Sequence, residues 1–373
     1  MKILYVTTIS LTMNSFFKPH IDMLVREGHH VDIACNYNDL ALDPLYNELG
    51  CGFYQIDFSR SPISKSNAGA NGQLKRVIEK GNYDIVHCHT PNAAVITRLV
   101  CRRFRKKNGL KVFYTAHGFH FYKGAPKLNW MVYYPIEKFC SRYTDKLITI
   151  NKEDYELAKT EFKAKEVRYV PGIGIDLSRF ENVQVDREAK RREMGVPDDA
   201  FLLLSVGELN ENKNHQIIIR ALAKLNNPKV HYAIAGVGDK KENLLTLSNE
   251  LGVSDQLHLL GYRKDVVELY KSSEAFVFPS HREGLSVALM EAMACGLPVV
   301  CSKIRGNTDL IDEHGGVLFD PTSPEECHKS VLAILNCDCR TMGEYNKLWV
   351  KKYSVESVLS EMKSIYDGVV GAV

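Results

Sequence analysis

The sequence predicts an α/β protein built from two doubly wound domains of mainly parallel sheet. Short apolar runs alternate with longer segments of helical periodicity from end to end, a pattern that lays parallel strands under helices on both faces. At 373 residues the chain exceeds what one ordinary core accommodates, so about two domains are expected. The alternation pauses once, at VPGIGIDLSRFENVQVDREAKRREMG, where Pro171, Gly172 and Gly174 precede a charged stretch, and then resumes.

In the first half, the apolar runs at residues 2–7, 30–35, 53–58, 84–89, 111–115, 146–150 and 167–170 read as strands. The periodic stretches at residues 16–27, 73–80, 92–106, 128–141 and 152–162 read as helices between them. After the pause, strands are expected at residues 201–206, 230–235, 256–260, 275–278, 297–301 and 316–319. The first domain is thus residues 1–170, completed by a C-terminal helix at about 354–373, and the second is residues 171–353. Ligands of open α/β sheets gather at the carboxyl ends of strands, where loops and helix N-termini meet. Two such sheets facing one another would enclose a deep cleft, so strand-end loops are where chemistry is sought.

Composition excludes several classes. With 45% hydrophobic and 25% charged residues and a formal net charge of +3, the chain is globular and offers no global field for nucleic acid. Ten cysteines contain no C-x-x-C pair, and Cys35, Cys88 and Cys301 fall in or beside apolar strand runs, as expected of reduced buried thiols. Cys337 and Cys339 have no second pair at ligand spacing, which argues against zinc. Residues 1–13 lack a basic leader and a small-residue cleavage site, and read as a buried strand rather than a signal peptide. No apolar run reaches the roughly eighteen residues that span a bilayer.

The segment HREGLSVALMEAMACGLPVV carries the strongest signal. It follows a buried strand, with Ser286 as helix N-cap, Gly296 as C-cap and Pro298 as stop. Glu283 then lies in a strand-end loop and Glu291 on the helix. The amides of Gly284, Leu285 and Ser286 sit at the positive end of that helix and suit a diphosphate. A carboxylate accepts two sugar hydroxyls at once, so each glutamate is a candidate sugar or ribose clamp. One such glutamate alone would ordinarily be a solvated side chain; two, with Gly-Leu-Ser after the first and Gly-Leu-Pro-Val-Val closing the segment, are distinctive. The segment resembles the signature of the family 4 retaining glycosyltransferases, which have the GT-B fold. The resemblance implies that Glu283 approaches the donor sugar, Glu291 binds the ribose, and the amides of Gly284, Leu285 and Ser286 hold the diphosphate.

In SVGELNENKNHQIIIRAL, Gly207 lets the backbone approach a ligand and Lys213 can neutralise a phosphate as a point charge. The family has Gly-Arg-Leu here with a lysine five residues after the arginine. Lys213 stands at the lysine, but Glu208 stands at the arginine, leaving Arg282, Arg263 or Arg305 as substitute cations. Gly236 and Gly238 in IAGVGD form a turn that the resemblance places on the cleft rim. Tyr262 and Arg263 lie in the loop that flanks the nucleotide base in the family.

The first half adds two histidine motifs. His87 and His89 in DIVHCHTPNAA point the same way on a strand; with no third ligand evident, they read as hydrogen-bonded or cleft-lining rather than metal-binding. His117 in FYTAHGFHFYKG ends a strand, and the resemblance sets it beside the donor sugar as a catalytic-site residue, with His120 and Tyr122 on the acceptor side. After the first strand, TTISLTMNSFFKPH lacks the Gly-Gly pair whose amides meet the diphosphate in many relatives, and Thr8 to Ser10 stand there instead. In residues 98–107, Arg98, Arg102, Arg103, Arg105, Lys106 and Lys107 interleave with Leu99, Val100 and Phe104. Such a helix suits an anionic membrane surface or is simply a solvated face; the lipid-linked acceptors of many family members favour the membrane.

The resemblance therefore implies a retaining transferase that moves a hexose or N-acetylhexosamine from a nucleotide-sugar, UDP-linked, to a glycan or lipid-linked acceptor. The setting would be bacterial exopolysaccharide, capsule or O-antigen assembly, in the cytoplasm or on the inner face of its membrane. No metal or other cofactor is expected, and no Asp-x-Asp occurs. Two alternatives share the fold: a nucleotide-sugar epimerase or hydrolase, and a non-catalytic sugar-nucleotide-binding protein, to which Glu208 and the missing Gly-Gly pair lend weight.

Overall fold

The computed structural model describes residues 1–61, 64 and 66–370. They form two units, one of Met1–Gly174 together with the chain from Val355 onward, the other of Ile175–Ser354. The first holds strands β1 (Lys2–Ile9), β2 (His30–Asn36), β3 (Gly52–Gln55), β4 (Ile85–His89), β5 (Lys111–Ala116), β6 (Lys146–Thr149) and β7 (Glu166–Tyr169). Between them run α1 (Ser10–Phe16), α2 (Lys18–Arg26), α3 (Leu45–Glu48), α4 (Ser66–Gly81), α5 (Pro91–Asn108), α6 (Lys127–Ser141) and α7 (Lys152–Glu161). The second unit contains α8 (Arg187–Met194), β8 (Phe201–Val206), α9 (Gln216–Leu225), β9 (Val230–Ala235), α10 (Lys241–Glu250) and β10 (Leu257–Gly261). It continues with α11 (Val266–Lys271), β11 (Ala275–Phe278), α12 (Val287–Ala294), β12 (Val299–Ser302), α13 (Asn307–Leu310), β13 (Gly316–Phe319), α14 (Pro324–Leu335) and α15 (Cys339–Trp349). The C-terminal helix α16 (Val355–Val370) returns to the first unit.

Both sheets are parallel, in the orders β3-β2-β1-β4-β5-β6-β7 and β10-β9-β8-β11-β12-β13. Each order reverses once, between β1 and β4 and between β8 and β11, which is where open sheets part their loops and admit ligands. Burial on both faces explains the continuous apolar runs. Along β1, Leu4 and Val6 enter one core with Leu74, Ala93 and Cys101. Ile3 and Tyr5 enter another with Ile21 and with Val358, Met362 and Ile365 of α16. That is the two-residue alternation of a strand with core on both sides.

Several expectations change. The helix expected at residues 16–27 is two helices: Pro19 has no N–H to continue α1, and Phe17 takes φ −107° between α1 and α2. Residues 10–13, read as the end of a first buried strand, belong instead to helix α1. The strand expected at residues 53–58 ends at Gln55, because the N–H of Asp57 donates to the Gln73 side chain (2.9 Å) and not to a neighbouring strand. The chain changes unit slightly after residue 170, since Ile175 pairs in parallel with Ser354 and donates its N–H to Tyr353 O (3.0 Å).

The basic helix is also corrected. Arg98 faces inward, fully buried, with its guanidinium 2.8 Å from Glu137 and over the ring of Tyr114. Arg105 is held by both carboxylate oxygens of Asp145, each at 2.8 Å. The exposed cations of α5 are Arg102, Arg103, Lys106 and Lys107.

Candidate active site

At the reversal of the second sheet, two loops seventy residues apart in sequence are tied into one body. After β8 the chain turns through a short 3-10 segment, Glu211–Lys213, capped by Asn210, whose Oδ1 accepts the Lys213 N–H (3.1 Å). The loop after β11 is fastened to it by the His281 N–H donating to Asn212 O (2.8 Å) and by Asn212 Nδ2 donating to Arg282 O (3.0 Å). Lys213 folds back over bare backbone: a Cβ on Gly207 would stand 3.3 Å from its Cε. Its ammonium meets Glu283 Oε1 at 2.8 Å and lies 4.6 Å from the centre of the Phe278 ring. The two residues expected to grip phosphate and sugar are thus in contact.

Glu283 leads into Gly284 and Leu285, half-buried, and Ser286, buried, whose Oγ accepts the Leu289 N–H (3.3 Å) and caps α12. Glu291 lies farther along that helix and accepts a hydrogen bond from the Tyr270 hydroxyl (3.2 Å). Burial raises its carboxyl above the usual range, an effect the Tyr270 hydrogen bond partly offsets.

The turn at Gly236 and Gly238 is a support for this site. A Cβ on Gly236 would fall 1.8 Å from Gly207 O, and one on Gly238 would fall 2.3 Å from Leu209 O. Only glycine lets the end of β9 press against the loop that carries Lys213. Gly306 was missed from sequence: at φ +79°, with a Cβ position 2.4 Å from Gly284 O, it seats the loop after β12 against the start of α12. Its signal was a glycine just beyond a strand, in SKIRGN. The preceding Arg305 is buried and donates from Nε to Glu283 O (3.2 Å), a bond that ties this candidate substitute cation to the backbone of the pair.

The other candidates are more dispersed. Arg282 is exposed and forms no ion pair among the described residues. Arg263 is engaged by Asp265 and by Glu193 (2.6 Å), while Tyr262 beside it is exposed. Glu208 is exposed, and its carboxylate accepts from Asn210 Nδ2 (2.8 Å).

At the reversal of the first sheet the chemistry is uncharged. Thr90, at φ +61° an uncommon backbone state for a β-branched residue, is held between β1 and α5. Its Oγ1 accepts the Thr8 N–H (3.0 Å) and meets the Thr8 hydroxyl at 2.7 Å, while the Ser10 hydroxyl donates to Leu40 O (2.5 Å). His87 lies 2.5 Å from the Tyr366 hydroxyl of α16 and 2.8 Å from that of Thr115. His89 Nδ1 lies 3.3 Å from His117 Nε2, and the rings of Tyr5 and Phe17 pack around them. Burial lowers the imidazole of His117 to about 4 and those of His87 and His89 well below the usual value, with smaller contributions from neighbouring histidines. The cluster is therefore neutral near pH 7. No group of three or more potential ligands stands close enough to hold a metal ion among the described residues.

His120 and Tyr122 lie in the loop between β5 and α6. The His120 ring stacks on Tyr133 at 4.7 Å, and Tyr122 O accepts from Trp130 Nε1 (3.2 Å). His120 also lines a mostly apolar cavity of about 390 Å³ beside α6.

Comparison with known proteins identifies the family. The profile for glycosyl transferases group 1 matches residues 186–349, and that for glycosyl transferase 4-like proteins matches residues 2–151. EpsD of Bacillus subtilis (strain 168), a protein assigned as a glycosyltransferase, is 35% identical over 378 residues, covering 98% of this chain and 96% of that one. The UDP-Gal:alpha-D-GlcNAc-diphosphoundecaprenol alpha-1,3-galactosyltransferase of Escherichia coli is 28% identical over 310 residues, 79% of this chain and 77% of its own. Among solved structures, Anabaena Alr3699/HepE in complex with UDP superposes with a TM-score of 0.79 at 18% identity, over 99% of this chain and 100% of the other. Taken with the two reversed parallel sheets, these matches show that the chain belongs to the group 1, family 4-like glycosyltransferases of the GT-B fold.

Proposed function

We propose that the chain is a retaining glycosyltransferase that moves a hexose or N-acetylhexosamine from a UDP-sugar to a glycan or lipid-linked acceptor during synthesis of a bacterial surface polysaccharide. The observation that carries this reading is the contact of Lys213 with Glu283 over the bare backbone of Gly207, beside the amides of Gly284, Leu285 and Ser286. An incoming diphosphate offers the ammonium a stronger partner than one carboxylate, and releases Glu283 towards the sugar. As the anomeric C–O bond breaks, negative charge grows on the departing diphosphate, where Lys213 and the start of α12 stabilise it. The acceptor oxygen bonds to the anomeric carbon on the same face, and its proton passes to the departing phosphate. Glu291 holds the ribose. The names of two similar proteins support the substrate classes: the E. coli relative uses UDP-Gal with a diphosphoundecaprenol-linked sugar, and the Anabaena neighbour is complexed with UDP. Lys213 and the amides supply the counter-charge themselves, so transfer is expected to survive chelation of divalent metals. Among the described residues no helix is long and apolar enough to cross a membrane, and we place the enzyme at the inner face of the cytoplasmic membrane.

A thermal-shift screen across nucleotide-sugars is expected to give one strong stabiliser. Incubation of that donor with a lipid-linked glycan should then yield a product of unchanged anomeric configuration by NMR. A new nucleotide-sugar or rapid release of free sugar without acceptor would instead identify an epimerase or hydrolase. Binding with no turnover would identify a carrier. Lys213→Ala should weaken UDP binding about tenfold, roughly 1.4 kcal/mol by calorimetry, and an unchanged affinity would remove Lys213 from the phosphate site.

A further inference from the structure

Helix α6 turns an apolar face outward. Between Lys127 and Arg142 its exposed side chains are Leu128, Met131, Val132, Pro135, Ile136 and Phe139. Leu128 is 67% exposed and Met131 74%. Steps of three and four residues stack them in one stripe. From Leu128 to Phe139 the stripe runs about 17 Å at 1.5 Å per residue. The opposite face is already occupied, with Glu137 paired to Arg98 and Cys140 buried, so the stripe is not a core face left open by a misplaced helix. A contiguous apolar surface of this kind marks a place where something docks.

The charges around the stripe say what docks there. Lys123 and Lys127 stand before it and Arg142 after it, with the Arg142 guanidinium 5.9 Å from the centre of the Phe139 ring. Neighbouring α5, joined to the end of α6 by Arg105 Nη1 donating to Arg142 O (3.2 Å), presents Arg102, Arg103 and Lys106. None of these six cations forms an ion pair among the described residues. The nearby carboxylates are engaged: Glu137 by Arg98, Asp145 by Arg105 and Lys165, Glu161 by Lys138. An apolar stripe rimmed by unpaired cations matches an anionic bilayer interface, where apolar side chains enter the acyl boundary and cations meet headgroup phosphates. A second copy of the chain fits less well, because a footprint of roughly 17 Å by 10 Å is a fraction of the ~800 Å² per partner in a stable dimer.

We propose that α6 seats the first unit on an anionic membrane, with Met131 and Phe139 as apolar anchors and Arg102, Arg103 and Lys106 as the electrostatic rim. The contact therefore centres on α6, with α5 supplying charge, whereas the sequence pointed to α5 alone. Val132 and Ile136 of the stripe also line the cavity of about 390 Å³ together with Phe119, Phe121 and His120. If the acceptor is lipid-linked, as proposed above, that cavity lies beside the surface from which the acceptor arrives.

The test is sedimentation of the full chain with vesicles of phosphatidylcholine and phosphatidylglycerol, against phosphatidylcholine alone. Binding is expected only to the anionic vesicles. Met131→Ser with Phe139→Ser should weaken it at least tenfold while leaving UDP affinity and the thermal midpoint unchanged. Arg102→Gln, Arg103→Gln and Lys106→Gln together should remove most of its salt sensitivity. Anionic vesicles that fail to pellet the protein, or a serine variant that pellets like wild type, would overturn the proposal. So would a dimer, formed without vesicles, that the serine variant converts to monomer. The assay contains neither donor nor acceptor, so loss of the donor-site reading would leave its result standing.

Discussion

The two units share an architecture and differ in what they place at its reversal point. In the second unit the loops after β8 and β11 bring together a cation and a carboxylate whose side chains remain 19% and 15% exposed. In the first unit the loops after β1 and β4 close over imidazoles and hydroxyls, with His87 and His89 at 0% and 2%. Partial exposure keeps the desolvation cost of Lys213 and Glu283 low, so they can exchange each other for an anionic ligand. A neutral buried cluster can position hydroxyl groups but exerts little pull on a phosphate. One fold thus carries two kinds of side chain at its reversal points, and residues at strand ends decide which.

Glu283→Gln tests the charged side of that contrast most severely. It keeps the shape and removes the charge, and transfer should fall by about 10³-fold, the upper end for loss of one preorganised electrostatic group. Thermal stability and UDP affinity should change little. A fall of less than tenfold in steady-state turnover would mean that the pair is a structural clasp and that the two reversals differ less than their charges suggest.

Arg98→Ala tests whether charge in the first unit is only scaffolding. The substitution strands the buried carboxylate of Glu137 and should cost about 3–5 kcal/mol in urea unfolding. Arg102→Ala, four residues on and exposed, should stay within about 0.5 kcal/mol. Similar costs for the two would contradict the inward placement of Arg98. These arginines also show what sequence can and cannot carry. The apolar runs named the strands because strands buried on both faces must be apolar throughout, and Ser286, Gly296 and Pro298 bounded α12 because caps and stops are local chemistry. The inward turn of Arg98 depends on Glu137, thirty-nine positions away on another helix, and no local pattern announces it. The contact of Lys213 with Glu283 and the approach of Gly306 to Gly284 are equally nonlocal, which is why the motifs were legible while their assembly was not. The outward stripe on α6 was hidden for another reason: a helix apolar on both faces has the periodicity of a buried one.

Acid should act on the neutral cluster, as it should on His215 and His258 of the second unit, which burial also lowers to about 4. His87, His89 and His117, together with His20, whose ring lies edge-on to Phe17 beside them, all have imidazoles lowered by burial, so below an ordinary value near 6.5 the unfolded chain takes up protons that the folded chain refuses. Stability must then fall as pH drops, at up to about 1.4 kcal/mol per pH unit for each such histidine, and for His117 the loss continues to about 4. Thermal midpoints measured from pH 7 to 5 should decline steadily, and a His87→Gln variant should decline less steeply. A His87→Gln variant that declines as steeply as wild type would show that imidazole to be hydrated and chargeable, erasing the difference between the two reversals.

The smallest effect concerns Glu208, which stands where the family resemblance implies an arginine. Its carboxylate is exposed and, among the described residues, held only by Asn210, the residue that caps the turn presenting Lys213. Glu208→Arg removes one negative charge and adds a positive one at the edge of the proposed diphosphate site without touching the Lys213 contact. Exposure limits the gain to the scale of surface ion pairs, so UDP should bind about two- to tenfold more tightly at low salt, with the advantage fading as ionic strength rises. An affinity that stays constant at every salt concentration would place the diphosphate away from the end of β8. Arg305, already buried against the carbonyl of Glu283, would then be the cation that replaces the missing arginine.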